Sequence, residues 1–385
     1  MKIAIIGARG MTHTYGGIER VLVQLCPRLA ALGHEVHVFG DRMSTDVADM
    51  PGVKSIPVPS LGGKYTETIT RSIAGLAKAL SKDYDVINLV AVGPGILSPL
   101  PRLAGIPVVV SIHGLDWARD KWPWPARLAL RAAERTIVKS AHQITVVSEQ
   151  LVDYLRNSYG REAIHAPNGI EVDTGPADPE ILAELGLKNN GYVLFASRLV
   201  KEKGAHELVE AFNRVKTDKR LVIAGGDRYD SGYVEALRRA DQTGRCVFTG
   251  HLAGAQLEHV FKGAALYVLP SHIEGFSLSL LEALGYGKPI LFSNIPENIE
   301  AVGEAGMQFP VRDVDALTHR LQRLVGSPKE LDLLGSYARH RAATLYSWDA
   351  VSKCYVSAYE AAIRNAASPR LGTVPRRLVR YLGNR

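Results

Sequence analysis

Short runs of apolar and β-branched residues alternate along the whole chain with segments in which apolar residues recur at helical spacing. The runs are KIAIIG, HEVHVFG, YDVINLV, IPVVVSIHG and HQITVVS in the first half, and GYVLFASR, KRLVIAGG, RCVFTG, AALYVLPS and KPILFSN in the second. Continuous apolar strands that alternate with helices are typical of parallel sheets covered on both faces. The pattern therefore predicts an α/β protein with two doubly wound, Rossmann-like domains.

The stretch IHAPNGIEVDTGPADPE interrupts this alternation with prolines and glycines, and it predicts a linker near 173–179. A chain of 385 residues also exceeds the size at which single cores stop growing, about 250–300 residues. After the linker the alternation resumes, and a late amphipathic helix begins near Ser347, a plausible N-cap. We predict domains over 1–173 and 180–345, a helix over 346–366 and a basic tail over 367–385.

The formal net charge of +7 favours an anionic partner. Much of this charge lies in the tail PRLGTVPRRLVRYLGNR, where arginines interleave with apolar residues. Such a tail predicts either a short helix on an anionic membrane or a solvated terminus. No apolar run approaches the roughly 18–20 residues of a membrane span, and the start MKIAIIGARG does not resemble a cleavable signal. We expect a cytoplasmic protein, and we expect no nucleic-acid partner.

Ligands of open parallel sheets bind at the carboxyl ends of the strands, so the residues that follow each strand are the candidate site. The segment GARGMTHTYGGIER after the first strand lacks G-x-G-x-x-G and is not a dinucleotide fingerprint. Gly16 and Gly17 open a helix there, and its free amides predict either an anion or hydroxyl site or a turn without a ligand. His113 ends the strand VVVSIHG, where it could bind a sugar hydroxyl or serve a structural role.

Two cations follow the first strand of the second half. Arg198 ends that strand, and Lys203 lies at the mouth of the next helix. The forked guanidinium, the ammonium and the helix dipole together predict a diphosphate site, with a solvated basic loop as the alternative.

Two glutamates, Glu274 and Glu282, lie eight positions apart in SHIEGFSLSLLEA. Gly275 allows a turn between them, and a helix starting at Ser277 would separate the carboxylates by about 8–12 Å. A retaining glycosidase pair needs about 5 Å, so the two glutamates have separate roles. The backbone amides at the start of this helix predict a second diphosphate contact, from Phe276, Ser277 and Leu278.

Two acidic pairs have the spacing of metal ligands. Asp83 and Asp85 precede a strand and so belong to the wrong end of the sheet, while Asp313 and Asp315 fit the start of a helix. We predict no catalytic metal and no cofactor.

With these residues in place, 1–366 resembles retaining glycosyltransferase family 4, which has the GT-B fold. The matching motifs are YGGIER, SIHG, APNGIE, SRLVKEKG, EGFSLSLLE and the SWDAV helix. The resemblance is strongest to bacterial rhamnosyl and polysaccharide-assembly enzymes. It implies two domains facing across a cleft, an acceptor-side N-terminal domain, a donor-binding C-terminal domain and a last helix that crosses back onto the first domain.

The resemblance also implies roles for the candidate residues. Arg198 and Lys203 would hold the donor diphosphate, Glu282 the ribose hydroxyls and Glu274 the transferred sugar. Gly16 and Gly17 would approach the diphosphate, and His113 would contact the sugar. The favoured family scheme is front-face attack, in which the leaving diphosphate takes the acceptor's proton, and cations that stabilise this leaving group would replace a metal.

The sequence thus predicts a metal-independent, retaining transfer from a nucleoside-diphosphate sugar to a glycan or lipid-linked acceptor in bacterial surface polysaccharide assembly. Alternatives are a nucleotide-sugar epimerase or phosphorylase of the same fold, an NAD-dependent oxidoreductase and a non-catalytic subunit. Trp117, Trp122 and Trp124 in LDWARDKWPWPARLALR suggest that the first domain contacts an anionic membrane, or else line a soluble acceptor's sugar site.

Overall fold

The computed structural model describes residues 1–11, 17–41, 51–61, 63, 66–118, 123–226 and 231–367. These residues form two compact units: Asn168–Ser347 is one, and the other combines Met1–Pro167 with the helix that begins at Trp348. Gly16, Trp122 and the tail beyond 367 lie outside the described residues. No described helix is long and apolar enough to span a membrane.

The first unit is built on a parallel sheet in the order β3-β2-β1-β4-β5-β6-β7. The strand order reverses direction between β1 and β4, which is the switch point where doubly wound sheets bind ligands. Its strands are β1 Lys2–Ile6, β2 Glu35–Gly40, β3 Val53–Pro57, β4 Val86–Val90, β5 Val108–Ile112, β6 Gln143–Val146 and β7 Ile164–His165. Its helices are α1 Gly17–Ala31, α2 Glu67–Leu80, α3 Val92–Gly95, α4 Pro99–Leu103, α5 Trp124–Ser140 and α6 Glu149–Tyr159.

The second unit repeats this plan with a parallel sheet in the order β10-β9-β8-β11-β12-β13, so that its switch point lies between β8 and β11. The predicted fold with two doubly wound sheets is confirmed. Its strands are β8 Tyr192–Ala196, β9 Arg220–Ala224, β10 Cys246–Gly250, β11 Leu266–Leu269, β12 Ile290–Ser293 and β13 Met307–Phe309. Its helices are α7 Pro179–Glu184, α8 Ala205–Arg214, α9 Ser231–Ala240, α10 Gly254–Lys262, α11 Leu278–Gly285, α12 Pro296–Val302, α13 Val314–Val325 and α14 Pro328–Leu345.

The last helix, α15 (Trp348–Ala367), packs on the sheet of the first unit. A buried polar network joins them: Asn88 Nδ2 on β4 donates to the Tyr359 hydroxyl at 3.1 Å, and Ser111 Oγ on β5 donates to Asn88 Oδ1 at 2.9 Å. Thr145 on β6 continues the network by donating to Ser111 Oγ at 2.9 Å. Because buried polar groups are costly when unpaired, these bonds specify where α15 lies on the sheet.

The division between the units falls after Pro167, earlier than the linker predicted at 173–179. The intervening residues are tied to the second unit by hydrogen bonds. Asn168 Nδ2 donates to the Phe276 carbonyl at 3.0 Å, and the Ile170 amide donates to the Tyr346 carbonyl at 2.7 Å. The prolines and glycines of the wider stretch indicated an irregular path, but an irregular segment can still belong to a core.

Candidate functional site

The site is built first on the second unit, at the carboxyl ends of β8 and β11. These neighbouring strands flank the switch point of the sheet. Arg198 follows β8, and Ser271 to Glu274 follow β11. Strand order therefore brings to one sheet edge two segments that are about 75 residues apart in sequence.

An ion pair occupies this edge. Lys203 Nζ lies 2.6 Å from Glu274 Oε2, and the two side chains are 10% and 8% exposed. Ser271 Oγ donates to the other carboxylate oxygen, Oε1, at 2.7 Å. A carboxylate bonded on both oxygens is held in one orientation. The Lys203 ammonium that pairs with it is therefore held in one position as well.

The backbone turns tightly where Lys203 is placed. Lys201–Lys203 is a 3-10 turn, and Gly204 follows with φ of 71° before α8 begins. A Cβ on Gly204 would lie 2.2 Å from the carbonyl oxygen of Pro270, the residue that follows β11. Gly204 thus allows the Lys203 segment to approach the Glu274 segment as closely as it does.

A buried hydrogen-bond network supports the Ser271–Glu274 contact from below. Ser293 Oγ, at the end of β12, donates to the Ser271 carbonyl, and Asn298 Nδ2 on α12 donates to Ser293 Oγ at 3.1 Å. All three residues are fully buried. This support fixes the backbone from which Glu274 projects.

Helix α11 begins directly after the turn at Gly275. Ser277 is its N-cap residue, as predicted, but its side chain makes no capping bond and lies 3.0 Å from Ser279 Oγ instead. Phe276 and Ser277 are buried, and Leu278 is half-buried. Glu282 is 6% exposed in the second turn. The predicted geometry of a turn, a helix start and a glutamate further along one helix is therefore present.

Arg198 differs from Lys203 in exposure. Its side chain is 56% exposed, and its guanidinium lies 3.8 Å from the Glu202 carboxylate. The structure thus places one buried and one exposed cation along the same loop. An exposed guanidinium can reorient toward an anion at small cost.

His272, which follows β11, is bonded to the segment that contains Lys203 and to α8. Its Nε2 lies 2.9 Å from both oxygens of Glu207 on α8, and its amide donates to the Glu202 carbonyl at 2.9 Å. Through these bonds His272 ties the segment after β11 to the segment around Lys203 a second time.

Sequence reasoning missed Glu297, the second residue of α12 after β12. Burial raises the pKa of Glu297; a backbone hydrogen bond offsets this in part, and the nearby negative charge of Glu274 raises the pKa further. Glu297 is therefore a further carboxylate that senses the charge of Glu274. The signal was available, because Pro296 and Glu297 follow the predicted strand KPILFSN.

The first unit carries the other predicted residues. Gly17 is exposed at the start of α1, and His113 is half-buried directly after β5. The same sheet edge holds a charge cluster that sequence reasoning missed. Arg71 on α2 is 1% exposed and lies 2.6 Å from Asp41, which follows β2, and 3.1 Å from Glu67. Glu67 also pairs with Arg9, which follows β1, at 3.1 Å.

The suspected metal pairs have structural roles. Asp85 accepts a hydrogen bond from the Lys2 amide at the amino end of the sheet, and Asp313 caps α13 through the Ala316 amide at 2.8 Å. Within the part of the chain that the structure describes, no group of three or more His, Cys, Asp or Glu residues is arranged to hold a metal ion.

Two parallel sheets of this strand order, with a cation–carboxylate pair at one switch point, define an α/β protein of two Rossmann-like domains. Two family models match it in succession: Glycosyltransferase Family 4 over residues 15–174, and Glycosyl transferases group 1 over residues 178–341. The chain belongs to glycosyltransferase family 4 and is a nucleotide-sugar glycosyltransferase of the GT-B fold.

Relatives of known function are similar along most of the chain. An MMP alpha-(1->4)-mannosyltransferase of Mycolicibacterium hassiacum is 28% identical over 96% of this chain and 100% of its own length. A GDP-mannose-dependent alpha-(1-6)-phosphatidylinositol monomannoside mannosyltransferase of Mycolicibacterium smegmatis is 28% identical over 72% of this chain and 77% of its own length.

Solved structures share the fold at lower identity. A sucrose-phosphate synthase of Thermosynechococcus elongatus superposes with a TM-score of 0.81 at 24% identity, covering 93% of this chain and 98% of that one. Anabaena HepE in complex with UDP-glucose gives a TM-score of 0.77 at 18% identity with the same coverage.

Proposed function

We propose that this glycosyltransferase moves a sugar, with retention and without a metal ion, from a nucleoside-diphosphate sugar to a glycan or lipid-linked acceptor in bacterial surface polysaccharide assembly. The observation that carries the proposal is the buried Lys203–Glu274 pair at the switch point of the second unit. An ammonium and a carboxylate fixed side by side suit a donor whose diphosphate and sugar are neighbouring groups.

In this proposal the diphosphate is the leaving group, and catalysis consists mainly of stabilising it. Lys203, Arg198 and the amides at the start of α11 provide positive charge and dipoles toward the bond that breaks. The positions of Lys203 and of the segment before α11 are set before reaction by the Gly204 turn and the buried Ser271 network, so little reorganisation is needed there.

Glu274 then acts as a fixed acceptor for hydroxyls of the transferred sugar, since both of its oxygens are already held. Glu282, in the second turn of α11, binds the ribose hydroxyls. The acceptor hydroxyl attacks from the face that the diphosphate leaves, and its proton passes to a diphosphate oxygen. This route keeps the anomeric configuration and needs no enzymic nucleophile.

Metal independence follows in the proposal from the same cations. A divalent ion in other transferases neutralises the leaving diphosphate, and here the ammonium of Lys203 and the guanidinium of Arg198 would supply that charge. The donor is expected to carry UDP or GDP, because a UDP-glucose complex and a GDP-mannose-dependent enzyme are among the similar proteins. A lipid-linked acceptor would bring the enzyme to the inner face of the cell membrane.

The test screens nucleotide sugars by thermal shift, since a ligand that binds the folded state raises the melting temperature by mass action. The donor that shifts the protein most is then supplied with glycan and lipid-linked acceptors, with and without EDTA. The anomeric proton of the product is read by NMR. Transfer with retained configuration in EDTA supports the proposal, and inversion or loss of activity in EDTA overturns the corresponding part.

Two other activities are separated by the same samples. Conversion of the donor to a second sugar nucleotide without any acceptor would indicate an epimerase. A thermal shift with NAD but with no nucleoside diphosphate would indicate an oxidoreductase. The oxidoreductase outcome is not expected, because the first strand of the chain is not followed by the glycine fingerprint.

A further inference from the structure

One face of α5 in the first unit exposes apolar and basic side chains together. Trp124 is 73% exposed and Leu128 is 55% exposed, and Arg131, Arg135 and Lys139 are exposed further along the helix. Their spacings of four, three, four and four residues place all five on one side of an α-helix. We call these five residues the α5 face.

The α5 face has no acidic neighbour on its own helix or on α4. Glu134 is the one acidic residue of these two helices, and it is 1% exposed. Its carboxylate is occupied by three donors: Trp117 Nε1 at 3.0 Å, the Tyr154 hydroxyl at 2.7 Å and the Tyr159 hydroxyl at 2.6 Å. The cations of the face therefore meet no compensating carboxylate from α5 itself.

The Glu134 network also separates the tryptophans by role. Trp117 is bonded inward to Glu134, and its ring is covered by the Arg131 guanidinium at 4.4 Å. Trp124 lies seven residues later, and its side chain is largely exposed to solvent. Of these two rings, Trp124 is thus the one available to an external partner.

A second apolar surface adjoins the end of α5. Arg102 on α4 donates to the Ser140 carbonyl at 3.0 Å, which anchors α4 at that end. On α4 itself Leu103 is 81% exposed and Leu100 is 48% exposed. Large apolar side chains are thus exposed near both ends of α5, with cations between them.

We propose that the α5 face docks on a bilayer of anionic lipids, with Trp124 and Leu128 inserted at the interface and Arg131, Arg135 and Lys139 against the headgroups. The inference deepens the proposed function and rests on its membrane contact, which the sequence had suggested for the basic tail and for the tryptophans of the first domain. Tryptophan with basic residues and no acid is the composition of interfacial helices. A protein partner of complementary charge would be a different outcome.

The test is flotation of the full chain with vesicles of phosphatidylcholine alone or with 30 mol%, about a third, of phosphatidylglycerol. Wild-type protein is expected to float with the anionic vesicles and to release as salt rises. In Arg135→Ser/Lys139→Ser the affinity should fall about 25-fold, since each cation near an anionic surface contributes about fivefold. Trp124→Ala/Leu128→Ala should also release the protein.

Matched controls lie on the second unit. Leu333 and Tyr337 on α14 are each 50% exposed and four residues apart, like Trp124 and Leu128, and Arg239 and Arg320 are exposed cations. Leu333→Ala/Tyr337→Ala and Arg239→Ser/Arg320→Ser should bind vesicles like wild type. Equal loss in the α5 and control variants, or wild-type affinity in both α5 variants, would overturn the proposal.

The flotation result does not depend on whether the proposed sugar transfer takes place. With a water-soluble acceptor analogue, Arg135→Ser/Lys139→Ser should keep wild-type turnover while losing vesicle binding. Failure of the proposed function would appear as no transfer by wild type to any acceptor, with flotation unaffected. Association of wild type into dimers that the α5 variants abolish, without vesicle binding, would identify a second copy as the occupant and reject the membrane.

Discussion

The same sheet edge is used differently in the two units. In the second unit, the switch point between β8 and β11 carries one buried lysine–glutamate pair, with an exposed arginine beside it. In the first unit, the edge near β1 and β2 carries a buried arginine that is neutralised by two acids, Asp41 and Glu67. The two similar folds therefore present different charge: an exposed arginine beside a buried ion pair in one unit, and a buried arginine paired with two acids in the other.

This difference indicates which of the two sheet edges binds an anion. Arg71 is 1% exposed and pairs with two carboxylates, so it stabilises the first unit but has little charge left to offer a ligand. Lys203 is fixed next to the Glu274 carboxylate at the edge, and the Arg198 side chain beside it is 56% exposed. The comparison predicts that substitutions in the second unit change donor use, while substitutions in the first change stability.

The largest effect is expected for Lys203→Ala, which should lower the rate of transfer by about 10²–10³-fold, the usual cost of removing one preorganised contact to a developing negative charge. Glu274→Gln should lower it similarly, because an amide cannot pair with Lys203 or accept two sugar hydroxyls in the same way. Turnover of the purified variants with the identified donor and acceptor is the measurement.

Lys262→Ala is the matched control for Lys203→Ala. Lys262 Nζ lies 2.7 Å from both Asp173 and Glu258, and its side chain is 7% exposed, so it is an equally buried lysine in the same unit, with more exposed partners. This variant should melt at a lower temperature and keep wild-type transfer per folded molecule. A similar loss of transfer in both variants would show that Lys203 acts through stability alone.

In the first unit, Arg71→Met should lower the free energy of unfolding by about 3–5 kcal/mol, because two carboxylates lose a buried partner. Chemical denaturation of the variant measures this change. Affinity for nucleoside diphosphates should stay at the wild-type value. A large drop in that affinity without loss of stability would contradict the contrast between the two sheet edges.

Arg198→Ala should raise the KM for the donor by about tenfold to a hundredfold, the range for hydrogen bonds to charged groups. Its effect on the melting temperature should be small, because an exposed pair at 3.8 Å contributes little to stability. Initial rates at varied donor concentration and thermal melts decide the matter together. An unchanged KM would remove Arg198 from the donor site.

The smallest effect concerns pH. The pKa of Glu297 is raised above its ordinary value of 4.5, chiefly by burial. The folded state therefore binds this proton more tightly than the unfolded state, so the contribution of this carboxyl to stability is fully present below pH 4.5 and is lost as pH rises through the raised pKa.

Glu297→Gln should remove this decline, and Glu274→Gln should reduce it by removing a neighbouring negative charge. Melting temperatures of the three proteins across pH 4–8, a span of about four units, provide the test. If Glu297→Gln and wild type show parallel pH profiles, the carboxylate does not sense the site as described.

Much of the fold could be predicted because buried parallel strands read as continuous apolar runs. Each of the ten predicted runs contains a strand of the structure. The three strands that were missed, β3, β7 and β13, all lie at sheet edges. Their residues are partly exposed, so VKSIP, IH and MQF carry no continuous apolar signal.

The sequence indicated where Arg198, Lys203 and Glu274 lie, because all three are in loops that follow recognisable strands. Their contacts with a donor stay a prediction. Direct contact between Lys203 and Glu274 was not predicted, because it depends on the order in which strands pair. Gly204 shows this well: sequence indicates a turn, but only the fold shows that the turn meets the Pro270 carbonyl. The Arg71 cluster was missed because Arg71 and Glu67 lie on helix α2, and only the fold shows that they meet Asp41 after β2 and Arg9 after β1.

The most direct test of the central claim is calorimetric titration of UDP and GDP into wild type, Lys203→Ala and Lys262→Ala. The account predicts that wild type binds at least one of the two nucleotides, that Lys203→Ala weakens this binding at least about tenfold, and that Lys262→Ala leaves it unchanged. Equal affinity in wild type and Lys203→Ala would contradict a diphosphate site at the β8–β11 edge.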